Sequence, residues 1–453
     1  MRRERRQVVV TGIGVVSSLG NDLESFWNAC LEGQSVVSPI PENWRLYYES
    51  KSALWSPLTL PDYAAIGLRR SDILSFDPAA LNAIFAAEDA LTHSGCEKIC
   101  IDERAGRHRL DAFDSYRCGA YVGTGLGCIT STFQNYVPHL LSRLSTHTLS
   151  LEMPESDSAI CIEIAKNIAE QGRVLPVAST KCMANSISAL VSIRYGFQGQ
   201  NETCIAACAA GTTAIAHAYE QVSMGRIDFA IAGGTEYYGD RAGGVFMAFD
   251  RLNTLAKPRS NDNCVSRPFD LDRTGFLFSQ GGACMLTLES LESARNRGAT
   301  VLATIKGSCA TSDAYSLAAL SPDGEAIRRM IEGTLLDADI APSEVDYINA
   351  HGTGTVQNDE LEATVLERAF PHGPFVNSTK SLLGHTIGAC GAIEAAVAVL
   401  GVQTGELHPS INLETPVRDL NFVRTRSLAN IRNALTHNFG FGGHNVGLVF
   451  GKD

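Results

Sequence analysis

The residues able to do chemistry lie in four short segments. Ile205-Ala-Ala-Cys208-Ala-Ala-Gly-Thr-Thr-Ala places a cysteine where an apolar strand meets small residues and a helix begins. The unpaired N–H groups at a helix start carry partial positive charge, which favours thiolate and lowers a thiol pKa from its usual value of about 8.5. Small neighbours leave a substrate room to reach the sulfur, so Cys208 reads as a nucleophile with a depressed pKa. Most of the 13 cysteines have the plainer reading of small core hydrophobes. Tyr347-Ile-Asn-Ala-His351-Gly-Thr-Gly-Thr ends a buried strand on a histidine above a glycine loop, a place that faces a cleft. In Asn377-Ser-Thr-Lys380-Ser-Leu-Leu-Gly-His385, a lysine and a histidine flank a glycine-containing turn, and the helix that follows carries Glu394. A lone histidine among 11 is ordinarily structural; two at loop–strand junctions, one of them near a lysine, are harder to dismiss. Asn438-Phe439-Gly-Phe441-Gly-Gly-His-Asn reads as a glycine-rich loop, whose glycines permit close backbone approach and positive φ.

Those segments need elements to hold them. Short apolar runs are expected as strands over 7–11, 120–124, 202–207, 229–234, 284–289, 301–306, 346–350 and 448–450. Helical spacing is expected over 23–31, 79–93, 186–195, 211–224, 326–338 and 391–400. Apolar strands alternating with helices favour a parallel or mixed sheet covered on both faces. Residues 39–63, with their prolines and aromatics, and 97–117, rich in charge, are expected to be irregular. The stretch 257–267 is the best candidate junction, dividing the chain into halves 1–265 and 266–453.

Composition narrows the class. The chain has 453 residues, 45% hydrophobic and 19% charged, which excludes disorder as the default. Net charge is −12, an argument against a general nucleic-acid binder. Mean hydropathy is +0.00, and the longest apolar candidate, 392–402, is broken by Glu394. No C-x-x-C pair occurs, so a zinc ribbon is not indicated, and an odd number of scattered cysteines fits a reducing compartment. The opening Met-Arg-Arg-Glu-Arg-Arg followed by valines imitates a secretory signal, but Glu4, Thr11, Gly12 and Gly14 weaken it and no A-x-A site follows. A cytoplasmic protein is expected.

Taken in order, Cys208, His351, Lys380, His385 and Gly440-Phe441-Gly442-Gly443 resemble the β-ketoacyl-acyl-carrier-protein synthases on the thiolase fold. The resemblance covers nearly the whole chain. Val9-Val-Thr-Gly-Ile-Gly, Leu31-Glu-Gly-Gln-Ser, Ala232-Gly-Gly-Thr-Glu, Ser266-Arg-Pro-Phe-Asp and Thr311-Ser-Asp-Ala-Tyr match its start and middle. The initiating branch of the family would have Asn where this chain has His385, and a thiolase a second catalytic cysteine near the C-terminus. The sequence also departs from the pattern. Gly275-Phe-Leu-Phe-Ser-Gln-Gly-Gly-Ala-Cys-Met is about one residue longer than the family form, and the segments 44–61 and 97–117 have no obvious counterpart.

The resemblance implies a five-layered α-β-α-β-α fold of two similar halves and a homodimer with strand 202–207 near its axis, a heterodimer with a related subunit staying open. It implies decarboxylative condensation of a malonyl-carrier protein with an acyl chain on Cys208, in a fatty acid or polyketide-type pathway. His351 and His385 would bind the malonyl thioester carbonyl, Lys380 and Glu394 would hold their geometry, and the N–H groups of Cys208 and Phe441 would form an oxyanion hole. Thr353 and Thr355 would bind the phosphopantetheine arm, with Phe439, Gly442 and Leu126 also at the substrate. Phe441 would gate the acyl channel together with the loop 312–322. No cofactor or metal is implied; the carrier protein brings its own 4′-phosphopantetheine. Carrier proteins are acidic, and Arg69 and Arg70 match a basic pair of the family. The alternatives are a non-elongating chain-length partner subunit, which would lack the nucleophile, and a malonyl decarboxylase.

Overall fold

The computed structural model describes residues 5–45, 48–136, 176–240, 242–258 and 264–452. Ten strands form one sheet. The first five are β1 (Val8–Val16), β2 (Cys118–Thr124), β3 (Asn201–Ile205), β4 (Phe229–Tyr237) and β5 (Gly281–Ser290). The others are β6 (Ala303–Ser312), β7 (Tyr347–Asn349), β8 (Phe375–Asn377), β9 (Asn433–Gly440) and β10 (His444–Gly451). Their spatial order is β8-β7-β9-β10-β6-β1-β5-β4-β2-β3. Numbered within its own half, each set of five therefore runs 3-2-4-5-1. The halves join where Val8–Val10 of β1 pair antiparallel with Ile305–Ala303 of β6.

The helices repeat the same plan. The first half has α1 (Leu23–Leu31), α2 (Pro78–His93), α3 (Ser186–Tyr195), α4 (Ala210–Ser223) and α5 (Gly244–Arg251). The second has α6 (Glu325–Asp337), α7 (Val356–Ala369) and α8 (Cys390–Thr404). α2 packs on β1, β4 and β5 and against α3, and α6 packs on β6 and β10 and against α7. Between the halves lie α4 and α8, which touch each other and strands of both. This is the expected five-layered arrangement. α8 is buried nearly all round, as a middle-layer helix must be. The 18-residue stretch Ile387–Thr404 is long and apolar enough to cross a membrane, yet 89% of it is buried in this core.

Local chemistry explains the boundaries. Asp77 caps α2 through the Ala79 N–H, with Pro78 in the first turn, where it forfeits no helical hydrogen bond. β1 is buried along its whole length, so it reads as an unbroken apolar run rather than an alternating one.

Four expectations need correction. The first half does not end at 265: β5 pairs with both β1 and β4, so that half takes strands as far as Ser290. Residues 259–263 of the expected junction lie outside the described residues. The Asn438 segment is not a loop throughout, since β9 runs to Gly440 and only Phe441–Gly443 turns. The charged stretch 97–117 contains an antiparallel hairpin, Lys98–Asp102 with Arg107–Leu110, which exposes Ile99 and Ile101 as well as Arg107 and Arg109. Within 39–63, the strands Ser38–Pro39 and Leu54–Ser56 join Phe278–Ser279 in a small sheet.

Candidate active site

Cys208 lies in a turn of 3-10 helix, Ala207–Ala209, between β3 and α4. Ala207 has φ 47, a left-handed conformation strained for a residue with a side chain. The turn places Cys208 Sγ 3.0 Å from His385 Nε2. The backbone N–H of His385 donates to Leu277 O (2.8 Å) and its ring packs edge-on against Phe276, with centroids 5.1 Å apart. The longer 275–285 stretch is thus what seats this histidine. The Ile387 N–H donates to His385 Nδ1 (3.2 Å), which leaves the ring proton on Nε2, facing the sulfur.

His351 follows β7. Its own N–H and that of Gly352 donate to the two oxygens of Glu362, each at 2.8 Å. Asp359 receives the N–H groups of Thr353 and Gly354, and also that of Phe269 (2.6 Å). These acids stand eight and eleven residues after His351, on the first turns of α7. A pair of acids at i, i+3 right after a glycine loop is the signal that would have revealed them. Burial pushes Asp359 up to about 6.

Lys380 and Glu394 are 2% and 1% exposed and form an ion pair at 2.5 Å. Lys380 Nζ also donates to His351 O (2.7 Å) and reaches His351 Nδ1 at 3.3 Å. Burial works against its charge, but the Glu394 carboxylate paired with it holds its pKa above the ordinary lysine value. Burial, followed by the Lys380 charge, drives both histidines well below the usual imidazole pKa, so both are neutral. The imidazoles face each other edge to face, with centroids 5.6 Å apart. Atoms of His351, Cys390 and Glu394 lie close enough to hold a metal ion, but the Lys380 ammonium already stands among them as the cation.

Cys208 departs from the expected ionisation. Burial pushes its thiol up to about 12, against the pull of Lys380. The site is deeper than a strand-to-helix turn suggests on paper, and loss of hydration outweighs the helix start.

A cavity of about 360 Å³ opens onto Cys208, His351 and His385. Thr353 and Thr355 line one side, their hydroxyls 2.9 Å apart, and Phe249, Leu252 and Phe276 line another. Phe439, Phe441 and Gly442 also border it. Phe439 packs on the His351 ring, with centroids 5.3 Å apart, and Phe441 is half-buried against the apolar cluster containing Cys208. The Gly442 N–H donates to Leu317 O and the Asp313 N–H to Gly443 O, so the loop after β6 is tied to the Phe441 turn.

Cys208 and the two neutral imidazoles, drawn from distant segments, meet at one cavity of a twice-repeated fold, with Lys380 behind His351. The chain belongs to the β-ketoacyl synthase family. The family model for the β-ketoacyl synthase N-terminal domain matches residues 5–294 and that for the C-terminal domain matches residues 302–414. A 3-oxoacyl-[acyl-carrier-protein] synthase 2 of Coxiella burnetii is 32% identical over 99% of both chains. The enzyme of that name from Synechocystis sp. is also 32% identical, again over 99% of each. Among solved structures, an ishigamide ketosynthase/chain length factor aligns with TM-score 0.80 and 26% identity over 99% of this chain and 100% of its own. A type II PKS acyl-carrier protein in complex with its ketosynthase bound to the hexaketide aligns with TM-score 0.78 and 27% identity over 99% of this chain and 100% of that one. The chain is an acyltransferase-type condensing enzyme of this family.

Not every expected synthase residue joins the site. Leu126 is 46% exposed and does not line the cavity. Gly125 N–H bonds to Glu236 and Gly127 N–H to Thr124, and the turn they fix presents Leu126 to solvent. Arg69 and Arg70 are exposed and lie outside the cavity lining; Arg69 pairs with Asp72 and also donates to Arg104 O. Sequence reasoning also passed over Glu236, fully buried and pushed up to about 7 by burial, which accepts the N–H groups of Gly125 (2.6 Å) and Gly388 (3.2 Å). It ties the loop after β2 to the turn that follows His385.

Proposed function

We propose that Cys208 is the acyl carrier of this synthase and that His351 and His385 are its decarboxylation donors. Cys208 Sγ attacks the thioester carbonyl of an acyl-carrier protein; the carrier's sulfur leaves and takes up the cysteine proton. The backbone N–H groups of Cys208 and Phe441 face the developing oxyanion. A malonyl thioester then enters along Thr353 and Thr355, whose hydroxyls suit the amides of a pantetheine arm. The Nε2–H groups of both histidines donate to its thioester carbonyl oxygen. The bond to CO2 breaks, its electron pair goes into the enolate, and the enolate carbon attacks the acyl carbonyl on Cys208. The sulfur leaves as thiolate and is reprotonated as the 3-oxoacyl product departs. Phe441 lies between the nucleophile and the loop after β6, placed to gate that second entry. These steps use side chains and backbone of the chain, with the arm supplied by the carrier.

What carries this reading is that the proton of His385 sits on Nε2, 3.0 Å from the cysteine sulfur. A donor already aimed at the reaction centre needs no reorganisation when negative charge develops there. β3 pairs only with β2 among the described residues, and Ile205 at its end is 60% exposed, so this open edge is the proposed face of a homodimer. Arg70, exposed and without an ion pair among the described residues, is proposed with Arg69 to meet the acidic carrier. A cytoplasmic setting suits buried free thiols such as Cys30, Cys118 and Cys284. Intact-protein mass spectrometry after incubation with a panel of acyl-carrier proteins tests the reading. The acyl mass should stay on the wild type and be absent from Cys208→Ala. Acyl retained by Cys208→Ala, or by neither protein with any carrier, would overturn it, and the retained masses report the pathway.

A further inference from the structure

Asn438 is the next-to-last group on its side of β9 before the Phe441 turn, and its amide is spent entirely inside the site. One Nδ2 hydrogen goes to Glu394 Oε2 at 2.6 Å and the other faces His351 Nδ1 at 3.1 Å. Oδ1 accepts the hydroxyl of Thr212, on the first turn of α4, four residues after the nucleophile. Glu394 and His351 fix which way the amide points: turned over, Oδ1 would face a carboxylate and an imidazole lone pair, whereas the Thr212 hydroxyl can serve either orientation. Nδ2 also lies 3.8 Å from Cys390 Sγ, whose S–H donates to the carbonyl of Cys208 at 3.3 Å.

Two donors therefore face His351 Nδ1, and neither can accept a hydrogen bond. Lys380 Nζ is the more distant, at 3.3 Å against 3.1 Å, and already gives two of its three hydrogens to His351 O and Glu394. We infer that Asn438 is a positioning residue that holds His351 in its Nε2–H tautomer and links that histidine to the nucleophile turn. This rests on the reading of His351 as a decarboxylation donor. A donor at Nδ1 forbids a proton there, so the ring must present N–H toward the cavity. Without it, the lysine alone, at longer range, opposes rotation of the ring and the other tautomer.

Asn438→Ala removes both hydrogens. Asn438→Asp keeps the shape but turns a donor into an acceptor beside Nδ1, which favours a proton on that nitrogen. Asn438→Ser returns one hydrogen. Each full-length variant is assayed for malonyl-carrier-protein decarboxylation and, separately, for acyl loading of Cys208 by mass spectrometry. The expected result is a fall in decarboxylation of about tenfold or more for Ala and further for Asp, with partial recovery in Ser, while acyl loading falls much less. Nitrogen-15 spectra of histidine-labelled protein should show one ring whose Nε2–H signal in the wild type gives way to Nδ1–H or imidazolium in Asn438→Asp. That signal reports the tautomer whatever the activity, and a variant that fails to fold is replaced by Asn438→Ser in the same measurement. His351→Ala serves as the control. Should His351→Ala abolish decarboxylation while the Asn438 variants keep the wild-type rate and an unshifted ring signal, only the present inference falls. Should His351→Ala decarboxylate normally, both readings fall together.

Discussion

The ionisation of Cys208 sets burial against the start of a helix. Burial, against the pull of Lys380, pushes the thiol up to about 12, which disfavours thiolate by about 4–5 kcal/mol relative to an ordinary cysteine. The N-terminus of α4 favours it by about 0.3–2 kcal/mol. Burial wins, and the resting enzyme holds a thiol at neutral pH. Thiolate then forms only as an acyl thioester arrives, with the His385 Nε2–H at 3.0 Å and the charge of Lys380 there to receive it. The perturbation is pH and the probe is iodoacetamide, with carbamidomethylation of the Cys208 peptide followed by mass spectrometry. Between pH 7 and 9.5 the alkylation rate should climb about tenfold per pH unit without levelling, as expected for a group titrating far above the range. His385→Ala should shift the whole line down, because the sulfur loses its donor. A plateau below about pH 8 would mean that the thiolate is already present and that the helix start outweighs burial, which refutes the reasoning.

Decarboxylation should behave differently. Both imidazoles sit well below the usual pKa and are active when neutral, so lowering the pH through 6.5 does not protonate them. In Cys208→Gln, malonyl decarboxylation should stay flat from pH 8 to 6, and a limb centred near 6.5 would contradict the assigned burial of the rings. His351→Ala and His385→Ala should each cut that rate by about 100- to 1,000-fold, the loss measured when one preorganised oxyanion donor is removed; a rate within tenfold of wild type excludes the role. Gly442 has φ +90, so Gly442→Val strains the Phe441 turn and should slow acylation with little change in melting temperature; acylation at the wild-type rate would leave Phe441 a fixed wall.

Much of this was open to reading from residue order. α1 and α3 fall at their expected bounds because their apolar residues recur at helical spacing and their ends are marked, Asp22 before α1 and Gly196 after α3. Cys208, His351, Lys380 and His385 were legible because each stands beside glycine or small residues, the first two just after strands and the last two at either end of the short helix Lys380–Leu383. What escaped is of two kinds. The end of β9 looked like a loop because Asn438 leads into a run of glycines at 440, 442 and 443, although the strand continues to Gly440. Asn438, Thr212, Cys390 and Glu236 escaped because their meaning lies only in their partners, more than 40 residues away in sequence. The thiol pKa was misjudged for a related reason: local sequence shows the start of a helix but not how deeply the fold covers it.

The repeat explains why these partners are so distant. In each half a left-handed residue stands between the third strand and the central helix, Ala207 at φ 47 and Ile387 at φ 51. One such turn presents Cys208; the other is preceded by His385. Each packs on a strand of the opposite half, the Cys208 turn on β9 and the Ile387 turn on β4. The approach is close enough that a Cβ on Gly440 would meet Ala206 O at 2.5 Å, and one on Gly388 would meet Gly125 N at 2.3 Å. A strained turn persists only where its surroundings over-determine it, and here those surroundings come from the other copy of the repeat. The reactive geometry is therefore a property of the contact between halves. Cys208 and His385 meet beside the N-termini of two central helices, each turn held against a strand of the other half.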